Sequence, residues 1–257
     1  MFKTSQSDKG KRLGIIYTKE WYEAESTGML RSARVCIDHL WSYTQPSSVA
    51  DVGCGRGCWL KAWKEKGSVL LLGFDGNWNS QKDMVDGAIQ FYQVDLNSRF
   101  STGSKVDLCM ALEVAEHLEP TSAETFIKNL TDLSDMVLFG AAYTGQGGDN
   151  HINEQPHTYW AKQFSKYSFI PFDILRPVFW ADERIDYWYR QNTFLYVKSD
   201  TESFGKLRSK GLAPMVNSDF MDCIHPVLYS RKNVVVGFKT HLRDLLPSLV
   251  RAIKRPV

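Results

Sequence analysis

Ser48-Val49-Ala50-Asp51-Val52-Gly53-Cys54-Gly55-Arg56-Gly57-Cys58-Trp59-Leu60 decides the fold. A short apolar run meets three alternating glycines, and a helical pattern resumes through Cys58, Trp59, Leu60, Ala62 and Trp63 until Gly67 stops it. That is a strand, a glycine turn and a helix. Upstream, Met29, Leu30, Ala33, Ile37, Leu40 and Trp41 recur at helical spacing and predict an amphipathic helix between Gly28 and Tyr43. Downstream, Val69 to Phe74 runs into Asp75 and Ile89 to Val94 into Asp95, while Val106 to Val114 carries Glu113 near its end. A helix follows in which Thr121 and Glu124 have capping-box spacing, and Met136 to Tyr143 reads as a fifth strand. Strands alternating with helices imply a parallel sheet covered on both faces. Ligands of such sheets bind beyond the carboxyl ends of the strands, so Asp51, Asp75, Asp95 and Glu113 should converge on one crevice.

Further along, Pro156 to Tyr167 reads as a helix entered at its proline and Trp188 to Val197 as a β-rich run; residues 200–230 read as loops with short elements. The chain has 257 residues, enough to bury a core, with 43% hydrophobic and 23% charged residues. Its formal charge is only +2, which gives no global electrostatic reason to expect a nucleic-acid partner. No apolar run reaches the roughly 18 residues of a membrane span, and the reading is of a soluble cytoplasmic protein. Cys36, Cys54, Cys58, Cys109 and Cys223 read as reduced thiols, with Cys54 and Cys58 the one conceivable metal or redox pair. The charge is uneven. From Arg231 onward, seven basic residues (Arg231, Lys232, Lys239, Arg243, Arg251, Lys254 and Arg255) face Asp244 alone, beside an apolar stripe of Leu242, Leu245, Leu246, Leu249, Val250 and Ile253. Such a helix suits an appendage packed on the domain, a dimer partner or peripheral contact with an anionic membrane.

The glycine cluster permits close backbone approach to a ligand, and an acid about 20 residues on suits a ribose diol; Gly53 and Asp75 stand in that relation. The spacing is G-x-G-x-G, not the G-x-G-x-x-G of a dinucleotide site, and Asp51 beside the turn would repel a pyrophosphate while attracting an ammonium group. An adenosine carrying an amino acid fits better. Asp51 to Gly57 resembles the first motif of the class I S-adenosylmethionine-dependent methyltransferases. Asp75, then Val94-Asp95-Leu96, then Ala111-Leu112-Glu113-Val114-Ala115-Glu116-His117 follow at that family's intervals, and the resemblance covers roughly residues 30–143. It implies an α/β, Rossmann-like, seven-stranded, mostly parallel sheet with helices on both faces. S-adenosylmethionine is the implied cofactor: Gly53 and Gly55 along its methionine and ribose, Asp51 near its amine, Asp75 on the ribose hydroxyls, Asp95 and the Leu96 backbone at adenine, and Glu113 at the methionine end.

The acceptor side should follow the fifth strand. His151, set among acids and amides in Gly147 to Pro156, is the general-base candidate, with His157 second; Glu116 and His117 read as solvated or capping groups. Asp149 with His151 is a weaker divalent-ion pairing, and no metal site is assigned. Tyr143, Asn153, Tyr159 and Trp160 are the acceptor-binding candidates, with Trp180 and Tyr189 as further stacking surfaces. A looser resemblance to surface-polysaccharide and natural-product methyltransferases implies a small polar or glycan-like acceptor methylated on oxygen. N-methylation and a non-catalytic cofactor-binding scaffold are the rivals. Residues 1–200 are assigned to the methyltransferase domain, with 1–27 an N-terminal helical arm whose Tyr17, Trp21 and Tyr22 suit a lid, and 201–257 to a basic C-terminal extension.

Overall fold

A computed structural model describes residues 19–231 of the chain, with side chains from 27 to 231. The strand, turn and helix around Gly53 form as expected, because a run of five residues with one apolar side on each face of a sheet leads into glycines that can turn sharply. Helix α1 (Lys19–Leu40) precedes strand β1 (Ser48–Val52), and helix α2 (Cys58–Lys66) ends at Gly67. Then come β2 (Leu70–Asp75), β3 (Ile89–Gln93), β4 (Leu108–Leu112), α3 (Ala123–Leu133) and β5 (Met136–Gly140). The chain continues through α4 (His157–Ser165), β6 (Phe169–Phe172), α5 (Arg176–Phe179), α6 (Tyr187–Asn192), β7 (Phe194–Lys198) and α7 (Glu202–Ser209).

The seven strands lie in the order β3-β2-β1-β4-β5-β7-β6. The first five pair in parallel, and β7 inserts antiparallel between β5 and β6. Both faces are buried, and the alternation along β4 shows how. Leu108 and Met110 join Ile37, Leu40 and Trp63 of α1 and α2, whereas Cys109 and Ala111 join Phe126, Leu130 and Phe164 of α3 and α4. The sheet is the middle of three layers, with helices fixing its strand ends in place. Beyond β7, Leu207 of α7 packs on one face and Met221 on the other.

Three elements depart from expectation. Thr121 and Glu124 do not cap α3: a 3-10 turn, Pro120–Ser122, comes first, the Ser122 hydroxyl donates to Asn97 Oδ1 at 2.9 Å, and Glu124 pairs with Lys166. The fifth strand stops at Gly140 rather than Tyr143. The run Trp188 to Val197 divides into α6 and β7, because buried Gln191 and Asn192 turn inward to bond with His225 and Glu113 instead of extending a strand. No disulfide joins any of the five cysteines, Cys54 and Cys58 included. Tyr17 and the basic tail from Lys232 lie outside the described residues, and of Trp21 and Tyr22 only the helical backbone is described. Among the described residues no helix is long and apolar enough to cross a membrane.

Candidate functional site

The chain leaves β1 toward β2 and β3 on one side and reaches β4 and β5 on the other, so a crevice opens where the winding reverses. A cleft of about 470 Å³ lies there, walled by Asp51, Gly53, Glu113, Glu116, His151 and Tyr187 among others. Beside it, a second cleft of about 360 Å³ is lined by Gly76, Trp78, Asp95 and Leu96. Asp75 sits between the two: Gly55 N–H donates to its Oδ2 at 2.7 Å and Gly76 N–H to its Oδ1 at 2.7 Å. Each oxygen retains a further lone pair, so a diol can still be accepted.

Gly53 is indispensable to this geometry. Its φ is +86°, and a Cβ there would lie 2.3 Å from Val114 Cγ2. The turn thereby brings β1 and the end of β4 into contact, and with them Asp51 and Glu113. Asp51 is buried, and desolvation followed by the nearby Asp75 charge pushes its pKa up to about 8. Glu113 takes a left-handed conformation, φ 56°, that aims its carboxylate across the cleft. There Gln146 Nε2 donates to it at 2.7 Å and Asn192 Nδ2 at 2.8 Å. Burial raises the Glu113 pKa, and these two amides oppose the rise.

Opposite the glycine turn stands the loop after β5, organised by Glu154. Its carboxylate accepts from Gly145 N–H and Gly147 N–H, both at 2.6 Å, and meets His151 Nδ1 at 2.9 Å. With Nδ1 engaged, Nε2 is the ring nitrogen left to act. The loop is tied down where it returns: Ile152 N–H and Asn153 N–H both donate to Glu116 O at 2.9 Å, and Asn153 Nδ2 to Ala115 O at 3.2 Å. This places His151 against Glu116 and His117. The two imidazoles meet edge to face with centroids 4.8 Å apart. Ligand atoms of Glu116, His117 and His151 all lie within 4.8 Å of one another, so these three could hold a metal ion. Burial and then the Glu113 charge raise the Glu116 pKa well above the ordinary carboxylate range.

The sequence matches no protein-family model and no curated protein. In three dimensions it is similar to the sugar N-methyltransferase KedS8 from Streptoalloteichus sp ATCC 53650, with a TM-score of 0.53 and 14% identity over 77% of this chain and 98% of that one. It is also similar to magnesium protoporphyrin IX methyltransferase from Synechocystis PCC 6803, crystallised with SAH (TM-score 0.50, 17% identity, 69% of this chain and 88% of that one). A third likeness is to the methyltransferase domain of bacterial CtHen1-C (TM-score 0.50, 19% identity, 65% and 97%). The fold is that of the class I methyltransferases.

Within the methyltransferase fold, Asp51, Gly53, Gly55, Glu113 and His151 meet on one cleft, and Asp95 and Leu96 on the neighbouring one. Asp95 is exposed and accepts from Ser98 Oγ and Asn97 N–H, which holds its pKa below the ordinary value. The acceptor-side candidates do not gather in the same way. Trp160 is a core residue, 1% exposed with its ring against Phe139, and Tyr159 packs beside it. Asn153 is buried and spent on the loop anchor. Tyr143 lies against the His157 ring. His157 is itself enclosed, bonded to Met221 O at 2.8 Å and Asn192 Oδ1 at 3.1 Å, so it positions Asn192 and does not face the cleft. Trp180 packs against His225, while Tyr189 does reach the cleft wall, edge to face with Trp59.

Glu116 and His117, read from the sequence as solvated or capping groups, instead line the cleft, with Glu116 buried; their place just after Glu113 was a usable signal. Gln146, Asn192, Tyr187 and Arg231 also reach the site, from segments where no spacing marks them.

Proposed function

We propose that the protein is an S-adenosylmethionine-dependent methyltransferase acting on an oxygen of a small polar or sugar-like acceptor. The observation that carries this reading is the pairing, across one cleft, of a glycine turn flanked by Asp51 and Glu113 with the Glu154-backed His151. The residues suit the cofactor. The carboxyl groups of Asp51, Glu113, Glu116 and Asp186 outnumber the single Arg231 on the wall; burial pushes the first three toward their protonated forms, and an ammonium or a sulfonium brought among them would favour ionisation, whereas a pyrophosphate would oppose it. A Cβ at Gly55 would meet nothing within 4 Å, leaving its backbone open to a ligand.

The bound cofactor supplies an electrophilic methyl group. Asp75 would hold the ribose, while Asp51 and Glu113 would orient the amino-acid end. Asp95 and Leu96 border the space for the base. Residues of the loop after β5 then align the acceptor oxygen with the methyl carbon, which is most of the catalysis in an in-line displacement. With the cofactor bound, the acceptor oxygen would take the methyl carbon, the carbon–sulfur electron pair being left on sulfur, and His151 Nε2 would take the hydroxyl proton.

Incubation with labelled cofactor and a panel of sugars and polyols, read by mass spectrometry, tests the reading. O-methylated product is expected, and His151→Ala should reduce it by about a hundredfold or more. An N-methylated product insensitive to His151→Ala would replace oxygen with nitrogen as the acceptor atom.

A further inference from the structure

We propose that Glu116, His117 and His151 form a binding site for a divalent first-row transition cation such as Mn²⁺ or Zn²⁺, on the acceptor side of the cleft. The first observation is geometric. Among the described residues these are the one group of three acidic, histidine or cysteine side chains whose ligand atoms come within 4.8 Å of one another. Ligand atoms about 2.1 Å from a common ion sit roughly 3–4 Å apart, so the site closes by a small rotation, for which the exposed His117 is available.

The second observation is independent. Glu116 is 0% exposed, and its carboxylate oxygens make no hydrogen bond of good geometry among the described residues; the backbone N–H groups of Glu116 and Ala142 offset only part of the effect of burial. Protonation relieves the charge of such a buried carboxyl but leaves the new O–H in need of an acceptor. A cation would satisfy the oxygens where they stand.

The surroundings fit a coordinating role. Both segments are fixed by the bonds from Ile152 and Asn153 to Glu116 O, so His151 and Glu116 are held in register before any ion arrives. Glu154 engages His151 Nδ1 at 2.9 Å, the arrangement in which a carboxylate orients a ligating imidazole and leaves Nε2 for the metal. Two imidazoles and one carboxylate favour a borderline transition ion over Ca²⁺ or Mg²⁺. Three protein ligands leave positions open to water or acceptor, and Glu113 lines the same cleft.

For its use in catalysis the site rests on the proposed methyl transfer: with the ion bound, His151 is a ligand in place of a base, and a hydroxyl coordinated to the ion is acidified enough to pass its proton to solvent water as the methyl group arrives. The binding itself is independent of that reading.

The test is calorimetric titration of chelator-treated full-length chain with Mn²⁺, Co²⁺ and Zn²⁺, with S-adenosylhomocysteine titrated into the same preparations. One equivalent of ion per chain is expected, with affinity falling at least tenfold in Glu116→Gln and in His117→Ala. The first is isosteric and the second lies at the surface, so both should keep the wild-type far-ultraviolet circular dichroism. No binding at millimolar ion, or binding unaffected by either substitution, overturns the site. Ion binding without S-adenosylhomocysteine binding would instead leave the site standing and remove the methyltransferase reading.

Discussion

Asp51 is held in a place that works against its charge. Unfolded, it would ionise near 3.8; folded, it does so at about 8, through burial and the neighbouring Asp75. Between those values the native state keeps a proton the unfolded chain has lost, so this residue's contribution to stability falls as pH rises from about 4 and levels off above about 8. Asp51→Asn should therefore raise the melting temperature increasingly from pH 5 to pH 8, with little gain at pH 4, and weaken S-adenosylhomocysteine binding. A melting temperature that drops at pH 8 would contradict this. Gly148 acts on the catalytic side. A Cβ there would lie 2.3 Å from His151 Nε2, so Gly148→Ala should displace the imidazole and lower methyl transfer at least tenfold, leaving S-adenosylhomocysteine affinity as it was. Steady-state rates beside calorimetry check both halves. At this scale the acids were legible because each closes a strand, whereas Gln146 and Asn192 were not: they reach Glu113 from 33 and 79 residues away.

Among the elements, the turn between β1 and α2 sets the register of the whole site. Gly53→Ala would force both a left-handed φ on a residue with a side chain and an overlap with Val114, and should destabilise the fold by about 2 kcal/mol or more in chemical denaturation. Equal stability would mean that the turn is looser than its packing implies. This element was readable in full, since glycine spacing and helical periodicity agree there. The acceptor loop was readable only in part. Its histidine announced itself, but the role of Glu154 as acceptor for Gly145, Gly147 and His151 depends on the loop folding back on itself. The entry to α3 misled because Ser122 and Glu124 find tertiary partners in Asn97 and Lys166 that compete with capping.

For the whole molecule, alternating strands and helices sufficed to indicate a three-layer sheet through β5. The remainder, in which β7 inserts antiparallel between β5 and β6, follows from packing among segments that carry no motif. The same distinction separates Trp160 from the site. Read beside Tyr159 it suited an acceptor surface, yet the sheet face beneath α4 encloses it with Phe139. Trp160→Ala should cost about 3–5 kcal/mol of stability. At temperatures where the variant is folded, S-adenosylhomocysteine affinity should not change; a loss of affinity with stability intact would return Trp160 to the site. The most direct measurement is calorimetric titration of the full-length chain with S-adenosylhomocysteine, alongside NAD and the Asp75→Asn variant. Saturable binding of the sulfur nucleoside, at least tenfold weaker in the variant and absent for NAD, is expected. Tight binding of NAD with no heat from S-adenosylhomocysteine would contradict the assignment.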